Sequence, residues 1–254
     1  VVEKSLLYCD DVIVVADGCT DDTMDILHDI DKITLVSYPQ NKGKGYALKV
    51  GFRKALDKGF SYAITLDGDG QHYPENIPLF LKANQKHPHA LIVGSRQLDG
   101  VCRSKGSSFA NKFSNFWFYV QTGKALDDTQ TGYRLYPLHK LYGLLFLTSR
   151  YEAELELLVF ASWHGVKIVP ISVQVYYPPR EERVSHFRPT KDFVRISVLN
   201  TVLCFLAIVY GLPLRLWRFF TSCLQTVYSL LFFLFFTLVV FTPFVWIYTK
   251  VGKM

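Results

Sequence analysis

Short runs of apolar and β-branched residues, each followed at once by a turn of aspartate, glycine or serine, recur along the first two-thirds of the chain. They include Asp11-Val12-Ile13-Val14-Val15 before Ala16-Asp17-Gly18, Tyr62-Ala63-Ile64-Thr65-Leu66 before Asp67-Gly68-Asp69-Gly70, and Ala90-Leu91-Ile92-Val93 before Gly94-Ser95-Arg96. Ile33 to Val36 and Val166 to Ile171 read as further strands. Helix-length stretches separate them, at 23–30, from the Asn41–Gly45 loop to about Ala55, near Pro78 to Lys86, at 107–121 and at 151–163. Strand alternating with helix dictates an α/β fold, a mostly parallel, doubly wound sheet flanked by helices. The cluster Thr20-Asp21-Asp22-Thr23 supplies N-cap chemistry for the helix that follows the first strand. Asp127 to Arg134 reads as a loop, and no internal repeat or low-complexity linker occurs.

The chain has 254 residues, 50% of them hydrophobic, which is enough for one α/β domain of roughly 190 residues and a further segment. That segment is C-terminal: Leu224 to Tyr248 contains no charged side chain. As a helix it is about 37 Å long, enough to cross a bilayer core of ~30 Å. The run from Ile196 to Tyr210 reaches only about 22 Å as a helix, so it forms either an interfacial helix or a short first span. Lys250, Lys253, Arg215 and Arg218 leave positive charge outside in either topology, so the positive-inside rule does not choose. A buried hairpin in a soluble core is the competing reading. The expected domains are 1–190, a catalytic domain; 191–218, a basic interfacial segment; and 219–254, the membrane span.

The net charge of +6, with Arg180, Arg183, Arg188, Lys191, Arg195, Arg215 and Arg218 ahead of the apolar tail, favours an anionic membrane face. No recognition helix, zinc finger or RNA-binding aromatic pair is present, which argues against nucleic acid as the partner. The five cysteines contain no CxxC pair and fit reduced thiols on the cytoplasmic side.

Asp67-Gly68-Asp69-Gly70-Gln71-His72 places two carboxylates one residue apart beyond a strand end. Ligands of open α/β sheets collect at such ends. Hard cations take carboxylate oxygens there while leaving positions for substrate phosphates, and the flanking glycines let backbone and phosphate approach. A solvated acidic turn is the bland alternative.

These residues have company. Val14-Val15-Ala16-Asp17-Gly18-Cys19-Thr20-Asp21, Asn41-Lys42-Gly43-Lys44-Gly45, the Asp67–His72 motif, Gly94-Ser95-Arg96 and Asp128-Thr129-Gln130-Thr131-Gly132-Tyr133-Arg134 resemble, in order, the motifs of family 2 glycosyltransferases, especially the dolichol-phosphate mannose synthase-like enzymes. The resemblance spans about residues 1–190. It implies a GT-A fold, a GDP- or UDP-sugar donor, a Mg²⁺ or Mn²⁺ ion and a lipid-linked acceptor, most often a polyprenyl phosphate such as dolichyl or undecaprenyl phosphate. It also implies inverting transfer at the cytoplasmic face of a membrane.

The same resemblance distributes roles. Asp67, Asp69 and Gln71 form the metal set, with Asp69 catalytic through the metal; Asp17 contacts base or ribose, with helix capping as its alternative. Lys44 reaches donor phosphate unless it is a solvated turn lysine. Arg96 and Arg134 suit bidentate phosphate contact, with a structural ion pair as the competing role. Asp128 orients acceptor or sugar hydroxyls. A lipid phosphate nucleophile needs no general base, whereas a hydroxyl acceptor would call on Asp128 or Glu154. Glu152, Glu154 and Glu156 do not share one helix face, so one or two of them can face a site and the rest are expected in solvent. Arg180 keeps the five-residue spacing to Ser185 that resembles a phosphate-contacting segment, while Arg183 stands where the family has glycine and His186 where it has lysine.

Other departures are an opening at Val1–Leu7 that reads as a helix, with no preceding strand and nucleotide loop, and an abrupt end at Lys253-Met254. The first suggests a sequence shortened by about one strand and one loop, with a sheet edge left unpaired, and the second a further domain cut away. Ala16 also stands where an aspartate is frequent. No Gln-x-x-Arg-Trp motif of processive synthases and no nucleotidyltransferase signature is present. A hydroxyl-directed glycosyltransferase and a non-catalytic membrane adaptor are the alternatives in view.

Overall fold

The structure, a computed structural model, describes residues 1–96, 105–143, 148–176 and 189–251. It divides into two compact units, Val1–Gly211 and the residues from Leu212 onward.

The first unit opens with α1 (Val2–Ser5), followed by β1 (Val12–Asp17), α2 (Thr23–His28), β2 (Ile33–Tyr38), α3 (Lys44–Asp57) and β3 (Tyr62–Thr65). A 3₁₀ turn at Pro74–Asn76 leads into α4 (Ile77–Lys86), then β4 (Leu91–Arg96), α5 (Lys105–Thr122), β5 (Arg134–Pro137) and α6 (Leu138–Leu141). The unit continues with α7 (Glu152–Trp163), β6 (Ile168–Val173) and α8 (Pro189–Leu206), and ends in a π-helical turn, Ala207–Gly211. The second unit is α9, Leu212–Val251.

The strands form two sheets. β1 and β2 pair in parallel, with Val12 opposite Ile33 and Asp17 opposite Tyr38. The other sheet has the order β3-β5-β4-β6. Within it β4 and β6 are parallel, but β5 runs antiparallel to both β3 and β4. β3, β4 and β6 thus run in one direction, in keeping with a mostly parallel sheet, with β5 reversed between β3 and β4; β5 starts at the last residue of what read as a loop. Its sequence, Arg134-Leu135-Tyr136-Pro137, begins with a charge and ends with a proline, which argues against a central strand. Burial overrides this, since all four residues are buried between β3 and β4. Pro137 closes the strand and Leu138 N–H donates back to Ser61 O at 2.9 Å.

The antiparallel insertion matters for what lies at the sheet edge. Thr65 pairs with Arg134 on one side, and Val93 pairs with Arg134 on the other. The start of β5 thus meets the ends of β3 and β4, and the end of β6, parallel to β4, joins them. Four strands bring their chemistry to one edge.

The core beneath that edge is Ile77, Phe80, Ala83, Ala90, Ile92, Tyr133, Leu135 and Val173. Phe80 is fully buried, a contribution of about 1.5–3 kcal/mol for such a side chain. α7 is apolar around its whole circumference and is buried from Ala153 to Trp163, as expected of a helix with no solvent face. The expectation that most of its glutamates are solvated is overturned: Glu154 and Glu156 are 6% and 0% exposed. Glu156 finds partners in Thr148, accepting from its backbone N–H at 2.9 Å and its hydroxyl at 2.5 Å.

Among the described residues one helical stretch, Val194–Phe232, is long and apolar enough to cross a membrane, with 22% of its most apolar window buried. Trp217, Phe219, Phe220, Tyr228 and Phe232 along α9 are exposed.

Candidate active site

The site grows from helix N-termini aimed at the sheet edge. Gly43, at φ +96°, turns the chain into α3 in a conformation that side chains rarely adopt, and Lys44 is the first helical residue. α7 brings Glu154 into its own first turn. The two helix starts are joined by Tyr46 N–H donating to Ser149 O at 3.0 Å. An added Cβ on Gly43 would lie 2.7 Å from Ser149 O, so glycine is required for that approach.

Lys44 is the hub. Its Nζ lies 2.7 Å from Asp67 Oδ1 and 3.0 Å from Glu154 Oε2, with the three side chains 22%, 30% and 7% exposed. Burial works against the Lys44 ammonium, but Glu154 and Asp67 outweigh it and raise its pKa. Burial likewise opposes the Asp67 carboxylate, and Lys44 pulls its pKa below the usual range. Glu154 is raised by burial, with Lys44 and Arg134 holding it back. Its second oxygen, Oε1, is buried without a hydrogen-bond partner.

Gly132 forms the floor. Its carbonyl accepts from Thr65 Oγ1 at 2.7 Å, and a Cβ there would stand 2.6 Å from Asp67 Oδ2 and 2.7 Å from Lys44 Nζ. A side chain there would have to push the charged ends of the pair aside.

Asp69 sits at the open side. Its Oδ1 accepts from Gln71 N–H at 3.0 Å, and it is exposed. A Cβ on Gly68 or Gly70 would meet nothing within 4 Å, so space opens beside both carboxylates. Among the described residues no group of three or more His, Cys, Asp or Glu side chains could hold a metal ion. Two carboxylates and open volume nevertheless fit a divalent cation whose remaining ligands are substrate phosphate and water, the usual pattern for Mg²⁺. Asp67 and Asp69 would hold it, with Gln71 adjoining.

The loop is anchored behind. Gln71 O accepts from Tyr176 N–H at 2.8 Å, and His72, 6% exposed, forms a bridge to Val175 and packs on Tyr133 at 5.1 Å between ring centroids. Burial lowers the His72 pKa, so it is neutral near pH 7. Tyr176 is also where the described chain stops before residue 189. Arg180 and Arg183 lie outside the described residues.

Four residues expected at phosphate or substrate make contacts within the protein. Asp17 accepts from the backbone N–H groups of Lys42 and Gly43 at 2.7 and 2.8 Å, so its carboxylate ties the end of β1 to the turn that leads into α3. Arg96 grips Asp128 through two bonds, Nε to Oδ2 at 2.6 Å and a terminal nitrogen to Oδ1 at 2.7 Å. Both are thus engaged with each other, and Asp128 is 1% exposed. Arg134 is wholly buried, donating to Glu154 O at 2.7 Å, Thr129 O at 2.8 Å and Tyr136 Oη at 3.3 Å. It sits under the site as a tie between β5 and α7 instead of lining it. Asp67, Asp69, Gln71 and Lys44 are brought together; Glu154, weighed before only as a base, joins them through Lys44.

A model described as glycosyl transferase family 2 matches residues 4–134. Among curated relatives, the UDP-N-acetylglucosamine--dolichyl-phosphate N-acetylglucosaminyltransferase of Methanococcus voltae is 27% identical over 190 residues, 66% of this chain and 75% of that protein. The polyprenol monophosphomannose synthase of Mycolicibacterium smegmatis is 31% identical over 137 residues, covering 49% of this chain and 50% of its own. Among solved structures, glucosyl-3-phosphoglycerate synthase from Mycobacterium tuberculosis in complex with Mn²⁺, UDP and glucosyl-3-phosphoglycerate superposes with a TM-score of 0.56 at 19% identity, over 78% of this chain and 68% of that one. That likeness fixes the fold as GT-A.

Proposed function

The chain belongs to glycosyl transferase family 2, and on that premise we propose that it transfers a sugar from a nucleotide diphosphate donor to a polyprenyl phosphate in a membrane. The observation that carries this reading is the meeting of Asp67 and Lys44 at the strand edge, with exposed Asp69 two residues on and open space at Gly68 and Gly70. The bond between the sugar's anomeric carbon and the donor diphosphate breaks while a bond from an acceptor phosphate oxygen to that carbon forms, with inversion. The leaving nucleoside diphosphate gains negative charge, so preorganised positive charge is the main demand.

A Mg²⁺ or Mn²⁺ ion held by Asp67 and Asp69, with Gln71 beside them, would supply part of that charge. Lys44, presented on the first turn of α3, supplies more, and the helix N-terminus adds its own dipole. Arg96, Asp128 and Arg134 hold the Asp128–Arg134 loop and α7 in place, and the Gly132 floor with them. Asp17 fixes the entry to α3, which flanks the donor side, and Arg180 and Arg183 are assigned to acceptor phosphate.

A phosphate acceptor is already anionic and needs no base. That is favoured over a hydroxyl acceptor because neither candidate base is at liberty: Asp128 is bound by Arg96 and Glu154 by Lys44. The relatives' dolichyl-phosphate and polyprenol acceptors and the exposed apolar length of α9 support a lipid substrate and a membrane setting. Free thiols at Cys9 and Cys19 support a cytoplasmic catalytic face. The test is transfer of radiolabel from a panel of UDP- and GDP-sugars to membrane lipids, with and without Mn²⁺. A metal-dependent, mild-acid-labile lipid product is expected. An acid-stable product would indicate a hydroxyl acceptor, and no product with any donor would revive the adaptor.

A further inference from the structure

Resting on that reading of the metal site, we propose that Lys44 is a built-in stand-in cation, displaced from Asp67 when the divalent ion binds and then kept by Glu154 for the donor's diphosphate. Glu154 is on this view a positioning residue that acts through Lys44.

Three observations converge on this. Lys44 Nζ bridges two carboxylates of unequal exposure, with Asp67 on the open side and Glu154 sealed beneath. The ammonium sits on Oδ1 of a carboxylate that the metal needs, so ion and lysine compete for the charge of one side chain. Finally, Glu154 is fixed from behind: its backbone carbonyl is held by Arg134, while its Oε1 is buried with no partner. A lysine leaving Asp67 therefore has a prepared second acceptor that does not require crossing open solvent. At Gly132 a Cβ would stand 2.6 Å from Asp67 and 2.7 Å from Lys44, so the missing side chain leaves the room in which the two groups meet and part.

The arrangement has two consequences. Without metal, two carboxylates share one ammonium, which offsets one of their two charges. With metal, Asp67 turns to the ion and Lys44 becomes the second positive group on the same edge, available to the diphosphate. Metal entry and phosphate readiness are thereby linked through one side chain.

The test uses the full chain in detergent and reads binding of Mn²⁺ by the electron paramagnetic resonance of the free ion, first without nucleotide. Lys44→Met removes the competing cation and is expected to bind Mn²⁺ about tenfold or more tighter than the unmodified protein, given the strength of a charge contact at this range. Glu154→Gln removes the charge of the alternative acceptor, leaves Lys44 drawn to Asp67, and is expected to weaken Mn²⁺ binding. A second measurement follows Lys44 itself by acylation and mass spectrometry in the unmodified protein: Mn²⁺ alone increases its labelling, and Mn²⁺ with UDP or GDP suppresses it. Melting in chelator reports whether Lys44→Met folds, and Mn²⁺ is expected to restore more stability to it than to the parent. Equal Mn²⁺ affinity in all three proteins, with Lys44 labelling unmoved by Mn²⁺, overturns the exchange while leaving the metal site standing. Failure of every variant to bind Mn²⁺, even with UDP or GDP, overturns the metal site and the exchange together.

Discussion

Replacing Asp128 with asparagine should destabilise the catalytic unit without touching the metal loop. The carboxylate accepts two short bonds from the Arg96 guanidinium, at 2.6 and 2.7 Å, and a longer one from the Arg96 backbone N–H at 3.3 Å. Asp128 is 1% exposed and the Arg96 side chain 16%. Removing one member of a buried pair costs about 3–5 kcal/mol when the other charge is stranded. Arg96 keeps some access to water and asparagine retains one acceptor, which lowers the expectation to about 2–3 kcal/mol. Urea unfolding of the full chain in detergent, followed by tryptophan fluorescence, measures this. Arg96→Gln and the double variant complete a cycle whose coupling should be about 2 kcal/mol. A loss under about 0.5 kcal/mol in Asp128→Asn, together with a large fall in transfer, would refute the reasoning and return Asp128 to direct work on substrate.

Gly132→Ala should separate Lys44 from Asp67, because the new methyl would lie within 2.7 Å of both groups; about 1–3 kcal/mol of stability and at least about tenfold in transfer rate are expected to go, and unchanged kinetics would dismiss the glycine floor. Asp69→Ala should lower metal-dependent transfer by about 10²-fold or more, whereas full activity in chelator would remove Asp69 from the site. Burial and the neighbouring Asp10 and Asp11 raise the Cys9 thiol pKa, so its alkylation should still be climbing with pH above 9 and should trail that of exposed Cys19; mass spectrometry of iodoacetamide time courses at several pH values checks both, and equal labelling rates would count against the burial.

Much of the fold is legible because its strands are short, apolar and punctuated. Val12–Asp17 and Leu91–Arg96 sit where the β-branched runs do, and the turns after them carry the acidic and glycine residues that a strand end can expose. β5 escapes notice because nothing in Arg-Leu-Tyr-Pro has the periodicity of a strand. It is a strand by virtue of the two neighbours it is inserted between. The buried state of Glu154 and Glu156 escapes a pairwise rule about helix faces, since a helix surrounded by protein has no solvent face to assign. The available signal was the company of those glutamates, Ala153-Glu154-Leu155-Glu156-Leu157-Leu158, where acids embedded in an otherwise apolar helix must find partners.

The same limit explains how the site's charges divide. An arginine after a motif glycine reads equally as a phosphate clamp or as a structural tie, and only the position of β5 decides. Once Arg134 is paired between Thr65 and Val93 at the centre of a sheet, its guanidinium must find acceptors within the protein, and it finds carbonyls of Thr129 and Glu154. The buried arginine thereby determines where Glu154 stands, Glu154 helps determine where Lys44 stands, and Lys44 meets Asp67. Of the acidic groups at this edge, Asp67, Glu154 and Asp128 are each in a salt bridge, whereas Asp69 forms none among the described residues. Negative charge without a protein counter-ion is thus concentrated at one exposed carboxylate beside open space, where a cation arriving with a diphosphate gains the most.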